Sequence, residues 1–280
     1  MPDHTMNDII DAHVHVWQRP DATFPYDPHY NGPAADPGAF PPDELLSLAQ
    51  PCGVKRIVLV QMSFYGTDNS FMLAMMKRYP SIFSGIAVVD HRSQNVEKEL
   101  VRLHSLGVRG LRIQQQAEDN WLRTEEMRTL WRFATKSRLA VCCLANPKDL
   151  PEIGRMCEDF PDTTVVIDHM GRIGMDGSIH DENIQDLCRL AHWPRTNVKV
   201  SAFYALGKKK APYNDLLPLV IALHGAYGAR RLMWGSDSPF QIQPPYSYES
   251  SLNFVKHGMS FLSEDERSWL LRKTAEGIFF

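Results

Sequence analysis

The chain alternates between two hydrophobic rhythms. Eight short runs are continuously apolar or β-branched: 9–17 (IIDAHVHVW), 56–62, 83–90, 108–115, 139–146, 164–171, 197–205 and 231–240. Runs of this length with little polar alternation suit parallel strands buried on both faces. Between them lie stretches with helical spacing at 43–50, 68–80, 95–107, 124–137 and 216–228. The first follows two prolines with acids in its opening turn, the third ends on Gly107, and the fourth opens on Thr124, a good N-cap. Strand starts recur every 25–47 residues, near the ~30 per unit of a (β/α)8 barrel. The pattern predicts an α/β fold, a single (β/α)8 TIM barrel over residues 1–280 with its site at the C-terminal ends of the strands. An open doubly wound sheet is the rival, weakened by the absence of a G-x-G-x-x-G or P-loop motif.

Residues 18–42 break the rhythm, with seven prolines and two tyrosines. In a barrel this loop follows the first strand on the face where active sites are built. It is either a stiff surface loop or a cover for a pocket, with Tyr26, His29 and Tyr30 as contact candidates.

Composition narrows the function. With 44% hydrophobic residues and a net charge of −3, the chain carries no basic footprint for nucleic acid or membrane surfaces. No apolar stretch reaches the ~18 residues of a membrane helix, and the N-terminus lacks signal-peptide character. A cytoplasmic enzyme of a small molecule is the expectation, with oligomeric state open. The five cysteines include no C-x-x-C pair, and adjacent Cys142 and Cys143 cannot share one strand face.

The predicted strand ends carry the polar chemistry. They offer Asp11, His13 and His15; Gln61 and Ser63; Asp90 and His91; Arg112 and Gln114; Asn146; Asp168 and His169; Ser201 and Tyr204; Ser236 and Asp237. His13 and His15, two apart on a strand, point to one side. They either bond to nearby backbone or join His169 and Asp237 around one spot. Asp11 shares that face by spacing and is expected to orient His13. Arg112 either closes an ion pair or clamps a substrate carboxylate. His91 is a second-tier candidate; His104, His192, His224 and His257 read as surface or packing residues.

The motifs DAHVHVW (11–17), DHMGR (168–172) and WGSDSPF (234–240), supported by FPYDP, VQMSFYGTDN, GVRGLRI and NVKVSAFY, resemble the amidohydrolase superfamily. The match looks closest to its amidohydrolase-related branch of 2-pyrone-4,6-dicarboxylate lactonases and sugar lactonases. The resemblance implies a (β/α)8 barrel with Asp237 as the base that activates water and His13, His15 and His169 polarising a carbonyl. It implies Arg112, Ser63, Tyr30 and Tyr204 as substrate-binding residues. No Lys or Glu ends strand four and no His ends strand five, which argues against a two-metal site. The resemblance allows either one divalent ion, zinc or manganese, on His13, His15, His169 and Asp237, or metal-free catalysis. Glu118 and Ala205 stand where related enzymes carry further arginines, against a pyrone dicarboxylate substrate; Lys208–Lys210 read as a solvated run. The leading expectation is hydrolysis of a small carboxylated lactone or similar cyclic ester. Metal-dependent decarboxylation is the alternative, and a non-catalytic metabolite-binding barrel is the alternative from another class.

Overall fold

The apolar runs become the eight strands of one parallel sheet. A computed structural model describes residues 8–114 and 121–280. The strands are β1 (Ile9–Val14), β2 (Val54–Val60), β3 (Phe83–Ala87), β4 (Val108–Gln114), β5 (Ala140–Leu144), β6 (Val165–Ile167), β7 (Thr196–Ser201) and β8 (Leu232–Gly235). They neighbour one another in chain order. The ring closes where the chain just past β8 meets β1: Asp237 N donates to His13 O at 2.8 Å and His15 N to Ser238 O at 2.9 Å. Gly235 permits this approach, since a Cβ there would lie 2.8 Å from His13 Cβ and 3.0 Å from His13 N.

Ten helices surround the sheet among the described residues: α1 (Pro42–Ala49), α2 (Ser70–Arg78), α3 (Val96–Ser105), α4 (Glu125–Ser137), α5 (Leu150–Asp159), α6 (Asp181–Arg189), α7 (Leu217–Tyr227), α8 (Tyr248–Asn253), α9 (Glu264–Ser268) and α10 (Thr274–Phe279). The five helical stretches of the sequence correspond to α1–α4 and α7. Of the other five, α5 and α6 are at least as long as α2 and went unread, while α8–α10 are short and interrupted by π turns, which blurs the 3.6-residue period. In α4 the Thr124 hydroxyl accepts from Met127 N at 3.2 Å, and Met127, Leu130, Trp131 and Ala134 are buried on one face. None of these helices is long and apolar enough to cross a membrane.

The outer core, between strands and helices, is one continuous apolar cluster. A second cluster fills the lower lumen: Ile10, Ala12, Val58, Val60, Ile86, Ala140, Cys142, Val166 and Met233, with Ala275 and Phe279 of α10 as its floor. Cys142 belongs to the inner cluster and Cys143 to the outer one, and all five cysteines are free. Above this floor the lumen turns polar.

The loop at 18–42 is tied at its base by the paired backbones of Trp17 and Phe40 and by Trp17 Nε1 donating to Pro37 O at 2.8 Å. Tyr26 packs 4.4 Å from the Phe64 ring and donates to Gln18 O. His29 is exposed, and the Tyr30 hydroxyl donates to Pro33 O at 3.0 Å.

Candidate active site

Three site strands end in backbone that few side chains adopt. His169 after β6, Ala202 after β7 and Asp237 after β8 have φ of 52°, 58° and 61°. The left-handed conformation costs a non-glycine residue about 1–2 kcal/mol. It ends each strand abruptly, so the runs at 164–171, 197–205 and 231–240 give strands shorter than their apolar length. After β6 the left-handed backbone continues through Met170, Gly171 and Arg172. His169 and Arg172 then both line the cavity.

On β1 a register shift falls between Asp11 and Val14. The resulting bulge undoes the simple i, i+2, i+4 face. Ile10 and Ala12 face the lower lumen, and past the bulge His13 and His15 meet across it. Asp11 is left on the outer side. Its Oδ1 accepts from Ser236 N at 2.8 Å and His13 N at 3.2 Å, and its Oδ2 accepts from Tyr248 OH at 2.7 Å. It thus ties β1 to β8 by backbone and does not orient the His13 ring. Burial pushes its carboxyl up to about 6, against the pull of these hydrogen bonds.

The structure brings His13, His15, His169 and Asp237 together. The Nε2 atoms of His13 and His15 are 3.3 Å apart. Asp237 Oδ1 lies 3.6 Å from His13 Nε2 and 3.4 Å from His15 Nε2, and Oδ2 lies 3.9 Å from His169 Nε2. Tyr204 OH donates to Asp237 Oδ2 at 2.8 Å. Burial alone would raise the Asp237 carboxyl, but the surrounding imidazoles outweigh it and hold the group well below the usual carboxylate range. Burial lowers His169 to about 4 and drives His13 well below the ordinary histidine value, helped by the Lys199 charge.

Above this group opens a cavity of about 250 Å³, walled by Met62, Ser63, Arg112, Gln114, His169, Arg172, Tyr204, Phe240 and others. Of the expected substrate contacts, Ser63, Arg112 and Tyr204 line it. Tyr30 does not, because its loop folds back on itself, and none of residues 18–42 reaches the cavity. His13 lies just beneath, covered by His15 and Asp237. His91 borders a neighbouring cavity that shares Ser63, Arg112 and Gln114. Gln61 serves its own loop, donating to Asp68 O at 2.7 Å, and Asn146 caps the turn before α5. Lys208–Lys210 are exposed, Ala205 lines the cavity, and Glu118 lies outside the described residues.

Two features were missed by sequence reasoning. Lys199, on the inner side of β7, is fully buried and sits 3.1 Å from both Asp168 Oδ1 and His13 Nδ1. Asp168 Oδ2 lies 3.3 Å from Arg112 Nε. A lysine within the apolar run NVKVS is itself the signal, since lysine is rarely buried without a partner. The second is Arg172, half-buried at the cavity wall; its guanidinium donates to the Met175 sulfur and has no ion pair with a carboxylate among the described residues.

His13, His169 and Asp237 offer ligand atoms within 4.8 Å of one another, a spacing one divalent ion can span. The fit depends on which nitrogen of each imidazole is free of hydrogen, and at His13 the second ring nitrogen faces the Lys199 ammonium at 3.1 Å.

Imidazoles and a carboxylate gathered at the C-terminal mouth of a (β/α)8 barrel define a barrel hydrolase. The chain belongs to the amidohydrolase family, whose profile, described as Amidohydrolase, matches residues 10–280. It is 28% identical over 241 residues to an L-fucono-1,5-lactonase of Burkholderia ambifaria, covering 82% of this chain and 80% of that one. It is also 28% identical over 261 residues to a 2-pyrone-4,6-dicarboxylate hydrolase of Comamonas testosteroni, covering 89% and 83%. Among solved structures, a probable 2-pyrone-4,6-dicarboxylic acid hydrolase of Acinetobacter baumannii with citric acid bound superposes with a TM-score of 0.81 at 26% identity, over 98% and 99% of the two chains.

Proposed function

We propose that the protein hydrolyses a small carboxylate-bearing lactone, with Asp237 as general base and no metal in the reacting centre. The observation that carries this is the buried Asp237 carboxylate at the cavity floor, ringed by His13, His15 and His169, with Arg112 and Arg172 in the walls above it. The lactone-hydrolysing relatives support the cyclic ester, and the citric acid held by the solved relative supports an acidic substrate.

In this mechanism a water seated at Asp237 and His169 gives one hydrogen to the carboxylate. Its oxygen attacks the lactone carbonyl carbon, and the carbonyl π pair moves to oxygen. Arg112, Arg172 and the Ser63 hydroxyl anchor the substrate carboxylate and take up the charge that builds on that oxygen. The intermediate collapses, the ring C–O bond breaks, and Asp237 returns its proton to the departing alkoxide. A carboxylate this stable is a weak base. It suffices because the water becomes strongly acidic as its bond to carbon forms. Tyr204 steadies the carboxylate throughout.

The test is proton release from a panel of acidic and neutral lactones, using wild type and Asp237→Asn, with and without chelator. Release that needs Asp237 and survives chelation is the expected result. Release that persists in Asp237→Asn, or is abolished by chelator, overturns the reading.

A further inference from the structure

We propose that Lys199 is a positioning residue that fixes the hydrogen of His13 on Nε2, turning a cradle of metal-ligand type into a seat for water. The argument needs only donors and acceptors. Lys199 is 0% exposed, so each hydrogen of its ammonium requires a partner. The ammonium forms an ion pair with Asp168 Oδ1 at 3.1 Å and makes its hydrogen-bond contact with His13 Nδ1 at 3.1 Å, and the ring of Phe279 lies 5.5 Å away on a third side. Asp168 is held by this ammonium and by Arg112. An ammonium group has no lone pair. His13 Nδ1 faces this ammonium at 3.1 Å and the Asp168 Oδ1 acceptor farther off, at 3.5 Å; it accepts from the nearer group, since Nδ1–H would set two donors against each other at the shorter distance. A neutral imidazole carries one hydrogen, which is therefore on Nε2.

The other end of the chain of contacts agrees. His15 Nδ1 lies 2.8 Å from the Val60 carbonyl, which can only accept, so His15 carries its hydrogen on Nδ1 and has a free lone pair on Nε2. His13 Nε2–H then points at His15 Nε2, 3.3 Å away, and at Asp237 Oδ1, 3.6 Å away. Hydrogens run one way from Lys199 through both rings to Val60. His169 Nδ1 meets Ser201 Oγ at 2.9 Å, and that hydroxyl reaches the Lys199 carbonyl at 3.5 Å, which leaves His169 Nε2 as an acceptor too.

The centre is thus bordered by one donor, His13 Nε2–H, and by the acceptors His15 Nε2, His169 Nε2 and Asp237. A water molecule satisfies that set, accepting from His13 and donating to two of the others. A divalent ion does not, because His13 would have to surrender its Nε2 hydrogen and turn a second donor toward Lys199. The catalytic meaning rests on the lactonase reading; the position of the hydrogen does not.

The experiment labels histidine with 15N and records long-range proton–nitrogen correlations, with the His13 signals identified by their loss in His13→Gln. Lys199→Met exposes the effect most directly. Because it strips Asp168 of a partner, Lys199→Met/Asp168→Asn serves as the charge-neutral version that keeps the test open if the single variant does not fold. Zinc affinity is measured in parallel by competition with a chromophoric chelator. Wild type and Asp168→Asn should show His13 with hydrogen on Nε2. The variants lacking Lys199 should populate the Nδ1–H form and bind zinc at least about tenfold more tightly than wild type, the scale of effects transmitted by groups behind a metal ligand. A wild-type His13 with its hydrogen on Nδ1, or no gain in zinc affinity on removing Lys199, overturns the proposal. A protein with no activity on any lactone overturns the functional reading and leaves the tautomer result intact.

Discussion

The Tyr204 hydroxyl donates to Oδ2 of Asp237 at 2.8 Å. Burial and the adjacent carboxylate push the phenol far above its ordinary value, so it stays a donor at every working pH. A hydrogen bond to a charged group contributes about 1.5–3 kcal/mol. Tyr204→Phe is therefore expected to lower kcat by roughly 10- to 100-fold with little change in KM. Steady-state kinetics on the best lactone of the panel would decide, and an undiminished kcat would remove Tyr204 from the machinery.

Arg172 and Arg112 differ in what else they hold. Arg172 has only the Met175 sulfur as a direct partner among the described residues, so Arg172→Gln should raise KM for an acidic lactone by roughly 10- to 100-fold and leave thermal stability nearly unchanged. Arg112 also faces buried Asp168, so Arg112→Gln should cost both affinity and melting temperature. Equal KM values for acidic and neutral lactones in wild type would contradict both assignments.

His169 predicts the acid limits. Burial lowers it from 6.5 to about 4, so the unfolded chain binds a proton between those values that the folded state refuses. Its contribution to stability is therefore complete above pH 6.5 and is lost as the pH falls toward about 4, at about 1.4 kcal/mol per pKa unit. Denaturant midpoints should decline across that window in wild type and decline less in His169→Gln. Because the neutral ring is the working form, kcat/KM should hold through pH 6.5 and fall only near 4. An acid limb centred on 6.5 would show that His169 is not sheltered.

Gly235 marks the tightest backbone approach in the ring. In Gly235→Ala the new Cβ would press on the His13 backbone, and overpacking of this kind typically costs about 1–3 kcal/mol. Since His13 moves with β1, activity should fall along with stability. A variant as stable and active as wild type would mean that β1 and β8 yield at this point without consequence.

The barrel was legible because its strands are short apolar runs with no competing period, and the histidine pair because i, i+2 spacing survives at 13 and 15. Asp11 misled because a bulge is invisible in the spacing of residues. Tyr30 misled because a proline-rich loop can fold onto its own carbonyls as readily as over a pocket. Lys199 and Arg172 were in plain view, inside motifs already singled out. Their importance depends on which groups β6 and β7 bring to one lumen, a matter of three-dimensional register that one-dimensional patterns do not carry.

Phe279 closes the lumen from below, with its ring beside the ammonium that bonds to His13. His13 stands on β1 and Phe279 on α10, so the floor beneath the first site histidine is laid by the last helix described. Without that ring in place, Lys199 and Asp168 would lie open to water from below. The aromatic stopper thus makes the dryness of the polar centre depend on the seating of α10.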